Sequence, residues 1–190
     1  MKKVSSLLVI ILMLSAYNAH AQEDKSKNKV GGIRAGYHAA TMVLADSDVD
    51  TTNVLGGFYV GFFRDNKVAP MLHIGTGLEY FKNGTEYSKN SSRVLHTISI
   101  PVNLKVQLGP AFVLGGIGAN FKVSEKLVYN DTSYDLSDDQ KSNWFDAPVF
   151  LGAGLKLWFL TVEARYHWGL IEVNNGYKNR YFQLGAGLSF

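Results

Sequence analysis

The stretch that decides the fold is TVEARYHW, residues 161–168 of the 190-residue chain. Its odd-numbered positions are polar, and its even-numbered positions are apolar or aromatic. Side chains of a β-strand point alternately to two faces, so a period of two separates the two sets. The stretch therefore predicts a strand with one polar face and one apolar face.

The same alternation recurs along the chain. In TISIPVNLKVQ (97–107), Thr97, Ser99 and Asn103 share the face opposite Ile98 and Ile100, and 148–157 repeats the pattern with small residues on its polar side. Less regular strands are predicted at 31–40, 55–63, 68–81, 111–123 and 181–190. The count is about eight, and each strand is long enough to cross an outer membrane when tilted.

Connection lengths indicate which face is wet. We expect tight turns at 64–66, 108–110 and 158–159, and longer polar loops at 41–54, 82–93, 124–143 and 171–179. Short turns at one end and long loops at the other are typical of outer-membrane barrels. An even strand number then leaves both termini on the short-turn, periplasmic side.

Aromatic residues gather at the predicted strand ends, where interfacial belts form in membrane barrels. The expected short-turn belt is Phe62, Phe63, Phe112, Trp158, Phe159 and Phe190, and the expected long-loop belt is Tyr80, Phe81, Phe121, Trp144, Phe145, Trp168 and Phe182.

Glycines are frequent on the polar face, at Gly36, Gly57, Gly61, Gly75, Gly77, Gly152, Gly154, Gly185 and Gly187. A narrow lumen has room for small inward residues, whereas glycines on the outside of a soluble barrel would only weaken its strands. The pattern favours an all-β, transmembrane, antiparallel up-and-down β-barrel over a soluble exported ligand-binding barrel.

The amino terminus reads as a secretory signal peptide. Lys2 and Lys3 precede a short apolar core, and Ala19-His20-Ala21 supplies the small-residue cleavage site. We expect residues 1–21 to be the signal peptide, 22–29 a polar periplasmic tail and 30–190 the outer-membrane barrel domain. The apolar run is too short to cross a bilayer as a helix.

Composition excludes several classes of function. The chain has no cysteine, which rules out disulfides, thiolate catalysis and cysteine-based zinc sites. It has 19 basic and 16 acidic residues; without Lys2 and Lys3 the balance is 17 against 16, a formal charge of +1. We therefore expect no nucleic-acid partner.

The inward face of the predicted barrel carries charges of both signs. The residues expected to form a polar lumen network are Arg34, Glu79, Lys105, Lys156, Glu163, Arg165 and His167, with Lys122, Asp146, His38 and His73 also inward. About eight strands enclose a space just wide enough for side chains, and buried ions need partners. We expect a structural network of paired charges rather than a proton or ion path.

Three segments carry a family resemblance: ISIPVNLKVQLG (98–109), APVFLGAGLKLWFLTVEARYHWGL (147–170) and KNRYFQLGAGLSF (178–190). They resemble the PorT-like outer-membrane β-barrel proteins of Bacteroidetes, and the resemblance covers 30–190. It implies an outer-membrane location in a Gram-negative envelope and an accessory role in envelope protein secretion through a type IX pathway. The terminus also resembles the signal read by the barrel-assembly machinery, with Gln183, Gly185, Leu188 and Phe190 at its spacing.

The sequence motifs that would indicate catalytic or metal-binding residues are incomplete. Arg165-Tyr166-His167 invites comparison with lipid A deacylase, but Gly169 stands where a serine is expected, and His96 and Ser99 have opposite parity. The acidic run 46–50 starts like a calcium loop but lacks the glycine and glutamate of an EF-hand. We expect no enzymatic activity, cofactor or metal, with a lipid-modifying enzyme as the alternative.

The functional hypothesis is a structural or surface-binding role, with loops 41–54 and 124–143 as the contact surface, because loops on a rigid scaffold carry recognition. Partners expected are outer-membrane lipid, the barrel-assembly machinery during biogenesis and envelope or secretion proteins. We expect a monomer.

Overall fold

The computed structural model describes residues 29–44, 54–88, 91–129, 132–135, 143–174 and 177–190. Within these ranges there is no helix that is long and apolar enough to cross a membrane. The strands are β1 (Lys29–Leu44), β2 (Leu55–Ala69), β3 (Leu72–Ser88), β4 (Ser91–Leu108), β5 (Ala111–Tyr129), β6 (Thr132–Asp135), β7 (Phe145–Asp146), β8 (Pro148–Leu157), β9 (Leu160–Asn174) and β10 (Tyr177–Ser189).

Eight of these strands close into a ring in which every neighbour is antiparallel. The order is β1-β2-β3-β4-β5-β8-β9-β10, and β10 returns to β1 with Ile33 opposite Leu188 and Ala39 opposite Phe182. The short β6 and β7 both pair with β5. The predicted barrel of about eight strands is confirmed, and its last strand is the closing strand.

Alternation along each strand separates the lumen from the outer surface. On β9, Thr161, Glu163 and Arg165 are buried inside the ring, whereas Val162 is 43% exposed on the outside. Large apolar side chains elsewhere on the outer surface are more exposed still, for example Phe62 at 63%. A polar interior with an apolar exterior is the arrangement of a barrel that faces lipid.

Three short turns lie at one end of the barrel, between β2 and β3, β4 and β5, and β8 and β9. The turn predicted at 64–66 is wrong, because these residues lie inside β2, and β3 begins at Leu72 rather than at 68. Asp65 points into the lumen and pairs with Lys105, and the chain reverses at Pro70-Met71, where Met71 has a φ of 67°. This end is the periplasmic end of the barrel, because outer-membrane barrels place their short turns there.

At the opposite, extracellular end, much of the predicted loop sequence forms strands. The interval 82–93 is wrong as a loop, since all but residues 89 and 90 belong to β3 and β4. Parts of 41–54, 124–143 and 171–179 likewise extend β1, β5, β6, β9 and β10. The backbone N–H and C=O groups of these segments pair with those of neighbouring strands, so the polar segments remain β-strands beyond the bilayer. Residues 45–53, 130–131 and 136–142 of the two expected contact loops lie outside the described residues, as does the predicted signal peptide.

Three of the aromatic residues expected in the membrane belts face the lumen instead: Phe63, Phe81 and Phe112. Phe81 is fully buried and Phe112 is 2% exposed. They occupy space that glycines leave open: a Cβ at Gly154 would lie 2.5 Å from the Phe112 ring. At the periplasmic end, Phe62, Trp158, Phe159 and Phe190 are exposed on the outer surface.

Candidate functional site

The centre of the lumen holds two arginines and two glutamates that contact one another. Glu79 Oε1 lies 2.8 Å from Arg34 Nη2 and 2.8 Å from Arg165 Nη1. Glu163 Oε1 accepts a hydrogen bond of 2.9 Å from Arg34 Nη1 and lies 3.2 Å from Arg165 Nε. All four residues are 5% exposed or less. Two positive and two negative charges thus balance in a site that has little contact with water, as buried ions require.

Glycines on the closing strand make this quartet sterically feasible. Arg34 on β1 lies opposite Gly187 on β10, and Glu163 on β9 lies opposite Gly185. A Cβ at Gly185 would be 2.2 Å from the Tyr59 hydroxyl oxygen. The Tyr59 ring in turn lies 5.3 Å from the Arg165 guanidinium. The inward side chains of neighbouring strands therefore fill the space above the glycines of β10.

An aromatic and imidazole layer lies towards the extracellular side of the quartet. The His38 ring stacks on Phe81 at 4.5 Å, and the His167 ring stacks on Tyr181 at 4.2 Å and on Phe150 at 4.7 Å. His38 Nδ1 is 3.2 Å from Gln183 Nε2. All of these residues are 3% exposed or less, so their rings fill the cross-section of the lumen.

Further polar pairs occupy the two ends of the lumen. At the periplasmic end, Lys105 Nζ lies 2.5 Å from Asp65 Oδ2 and 4.6 Å from the centre of the Phe112 ring. Towards the extracellular end, Asn179 Nδ2 donates to Asp146 Oδ2 at 3.1 Å, and Asn120 Nδ2 lies 3.1 Å from the Tyr181 hydroxyl.

A further polar group, beyond the apolar band, joins β4 to β5. Arg93 Nε donates to Glu125 Oε1 at 2.5 Å, and Lys122 also pairs with Glu125. All three side chains are on the lumen side, and each is 11% exposed or less. This group fixes the two strands to each other beyond the apolar band.

The structure brings together some of the residues predicted for the lumen network and not others. Arg34, Glu79, Glu163 and Arg165 form one group, while Lys105, Lys156 and His167 lie outside it. Lys105 pairs with Asp65, His167 belongs to the aromatic layer, and Lys156 is half-buried on β8 near the short turns. The residues missed include Tyr59, Asp65, Arg93, Asn120, Glu125 and Asn179. Continuing the period of two along β2 from Gly57 through Tyr59 and Gly61 would have placed Asp65 in the lumen.

The four residues of the expected assembly signal alternate in position. Gln183 and Gly185 are buried in the lumen, whereas Leu188 is 45% exposed and Phe190 is 84% exposed on the outside. The Phe190 backbone N–H donates to the Gly31 carbonyl at 2.9 Å. The aromatic ring of the terminus is therefore presented at the periplasmic end of the seam between β10 and β1.

The candidate hydrolytic residues do not converge. Ser99 is buried on the lumen side of β4, whereas His96 lies on the outer face, with its Nδ1 2.5 Å from the Tyr80 hydroxyl. His167 is enclosed by aromatic rings, and Gly169 follows it on the same face. Across the ranges that the structure describes, no three histidine, aspartate or glutamate residues are grouped so as to hold a metal ion.

The chain matches one family of known proteins and is similar to solved structures of bacterial surface proteins. A family model described as "Outer membrane protein beta-barrel domain" matches residues 6–190. Among solved structures, the chain is similar to Ail, the attachment invasion locus protein of Yersinia pestis, in complex with the heparin analogue sucrose octasulfate. The sequence identity is 16% and the TM-score is 0.53, and the alignment covers 86% of this chain and 99% of Ail. It is also similar to Neisserial surface protein A, at 11% identity and a TM-score of 0.57, covering 84% and 97%. No curated protein matches the chain. At sequence identities this low, the structural similarity shows a shared fold and nothing more specific.

Proposed function

The chain belongs to the outer membrane protein β-barrel domain family and resides in the bacterial outer membrane, and from this premise we propose that it binds a partner at the cell surface. The observation that carries the proposal is the extension of β3, β4 and β5 beyond the apolar band. On β4 the continuous row of outward apolar residues ends at Ile98, because His96 follows it, yet the strand continues to Ser91. These seven further residues correspond to about 23 Å of strand.

The extension is a rigid platform rather than a set of loose loops. Gly84 lies opposite Val94, which lies opposite Lys126, so three strands remain paired there. The Arg93–Glu125 ion pair braces the lumen side. Residues held on a rigid scaffold at the exposed end of a barrel are suited to recognition.

The closed lumen supports a binding role over transport or catalysis. The quartet and the aromatic layer both fill the cross-section, and Ser99 does not pair with His96, because Ser99 faces the lumen and His96 faces outward. A lipid-modifying activity would need such a pair. Incubation with lipopolysaccharide followed by mass spectrometry tests this point, and release of an acyl chain would contradict it.

The experiment that tests surface binding uses cross-linking on intact cells, with a tagged wild-type protein and a shortened variant. In the variant, residues 85–93 are replaced by Asn-Gly, a two-residue hairpin turn. A control variant has the β9–β10 hairpin shortened in the same way. We expect a cross-linked partner with the wild type and the control, and its loss with the β3–β4 variant.

Folding of each variant is checked by the gel shift between heated and unheated samples, which reports an intact barrel. Recovery of the same partners with all three proteins would refute recognition by the extension. Absence of any cross-linked partner from the wild type would refute the binding role.

A second proposed function is that of an accessory to envelope protein secretion. The segments that resemble the PorT-like family, above all 147–170 and 178–190, favour it. It predicts a secretion defect after deletion of the gene and restoration by the wild-type gene. Normal secretion in the deletion strain would reject it.

A further inference from the structure

Three basic residues lie on the outer face of the barrel, on adjacent strands near its extracellular end. Lys82 of β3 is directly opposite His96 of β4. Lys126 of β5 is opposite Val94, two residues further along β4 and on the same face as His96. Cross-strand and diagonal neighbours of this kind are within reach of long side chains. The three residues are referred to below as the outer basic cluster.

The outward direction of the cluster follows from its neighbours. Leu95 and Thr97, on either side of His96, are buried in the lumen, and so is Glu125 beside Lys126. Because side chains alternate along a strand, His96 and Lys126 point away from the lumen. Lys126 is exposed, and Lys82 and His96 are half-buried.

The depth of the cluster is marked by the row of residues immediately below it. Tyr80, Ile98 and Phe121 are paired across the same three strands, and below them the outer face of β4 is apolar. Phe121 packs with Trp144 and Phe145, at ring distances of 6.0 and 5.5 Å. Aromatic girdles sit at the membrane–water interface of such barrels. The outer basic cluster is therefore one row above the girdle, at the depth of the outer-leaflet headgroups.

The acidic residue nearest in sequence to the cluster does not neutralise it. Glu125 faces the lumen, where Arg93 and Lys122 bind it. Asp135 of β6 is the cross-strand neighbour of Lys126, so one acidic residue borders the cluster at its β5 edge. The described register places Lys82 and Ser124 on the two sides of His96, with no carboxylate in that row. The two lysines outnumber this one acidic neighbour, so the cluster keeps a net positive charge beside the lipid.

Tyr80 orients the imidazole of His96. The Tyr80 hydroxyl is 2.5 Å from His96 Nδ1, and the two rings are stacked at 6.0 Å. When the hydroxyl donates to Nδ1, the ring proton is on Nε2, which can donate a hydrogen bond to an anion. Two ammonium groups and an imidazole N–H then offer donors of the type that binds phosphate strongly.

We propose that the outer basic cluster of Lys82, His96 and Lys126 binds a phosphate group of the phosphorylated glycolipid of the outer leaflet. The acyl chains of that lipid would lie along the apolar outer face below, where Ile98 and Leu104 are exposed. The site is independent of the surface partner proposed above, because it faces the membrane sideways rather than the medium.

The test is native mass spectrometry of the refolded barrel in detergent, titrated with bisphosphorylated lipid A. The double variant Lys82→Gln/Lys126→Gln removes both ammonium groups and keeps the length of their side chains. Each lysine near an anionic lipid surface contributes about one kilocalorie per mole to binding. The affinity of the double variant for lipid A is therefore expected to be roughly thirtyfold lower than that of the wild type. Lys178→Gln is the matched control, since Lys178 is near the extracellular end of β10, four strands round the ring from β4. The affinity of this variant for lipid A should stay within about twofold of that of the wild type.

The other arms of the experiment decide the source of the phosphate. Dephosphorylated lipid A should bind wild type and double variant equally and weakly, and inorganic phosphate at millimolar concentration should not displace lipid A. Equal affinity of the double variant and the wild type for bisphosphorylated lipid A would overturn the proposal. Displacement by inorganic phosphate would overturn the assignment to a lipid, and an equal loss in Lys178→Gln would show unspecific charge attraction instead.

Discussion

Arg34 on β1 and Glu163 on β9 form an ion pair of 2.9 Å although the whole of β10 lies between their two strands. Neighbouring strands are about 4.8 Å apart, so the side chains bridge roughly 10 Å across β10. They can do so because the residues opposite them on β10 are Gly187 and Gly185, which put no side chain in the way. The glycines of the closing strand are thus part of the lumen network.

Gly185→Ala should destabilise the barrel by about 1–3 kcal/mol, the usual cost of overpacking a filled interior. The added Cβ would lie 2.2 Å from the Tyr59 hydroxyl oxygen and 2.7 Å from the Ala35 carbonyl oxygen. Urea unfolding of the protein refolded into lipid vesicles measures the change. Gly187→Ala is the control, because its nearest contact is a Phe63 ring carbon at 3.2 Å. A loss in the control as large as in Gly185→Ala would contradict this steric account.

Glu79→Gln should lower the free energy of unfolding by about 3–5 kcal/mol, because two buried guanidinium groups are left with one carboxylate. The double variant Glu79→Gln/Arg165→Met removes one charge of each sign and leaves the Arg34–Glu163 pair intact. It should therefore be more stable than the single variant in the same urea titration. If the double variant proves less stable than Glu79→Gln, charge balance is not what holds the quartet.

The wild-type protein should show no steady conductance in planar bilayers, because two separate layers fill the lumen. Phe81→Ala/Tyr181→Ala opens the aromatic layer only, so it should remain closed at the Arg–Glu quartet. Adding Glu79→Ala/Arg165→Ala to that variant should produce stable ion current. Reproducible open channels in the wild type, or in the aromatic variant alone, would show that the quartet does not close the barrel.

The alternation of residues 161–168 was sufficient to predict β9. Successive side chains of a membrane-spanning strand face lipid and lumen in turn, so they must be alternately apolar and polar. The same logic predicted the inward position of Arg34, Glu79 and Arg165. It depends only on local sequence, and the membrane enforces it along each strand.

Alternation places Phe63 beside Gly61 and Phe81 beside Glu79 on the inward face, but it does not predict the inward position of Phe112. Phe112 faces the lumen because Gly154 lies opposite it on β8, and such a pairing depends on the register of strands distant in sequence. The turn after β2 was missed for a related reason. Arg64-Asp65-Asn66 has turn-like composition, but Asp65 is stabilised as part of a strand by Lys105 of β4. Long-range register and ion pairing decided both positions.

Removal of the terminal aromatic ring should impair insertion into the membrane more than it impairs stability. The Phe190 ring is 84% exposed, so little packing depends on it, while its backbone N–H bonds to Gly31 at 2.9 Å. Phe190→Ala retains that backbone bond, and we expect its unfolding in vesicles to match the wild type within about 1 kcal/mol. In cells, however, its outer-membrane level should fall severalfold if the assembly machinery reads the ring, and Phe190→Tyr should restore it. Phe159→Ala is the control, since Phe159 is exposed at the same end without being terminal. A normal level of Phe190→Ala, or an equal fall with Phe159→Ala, would mean that the terminal ring serves only as part of the lipid-facing surface.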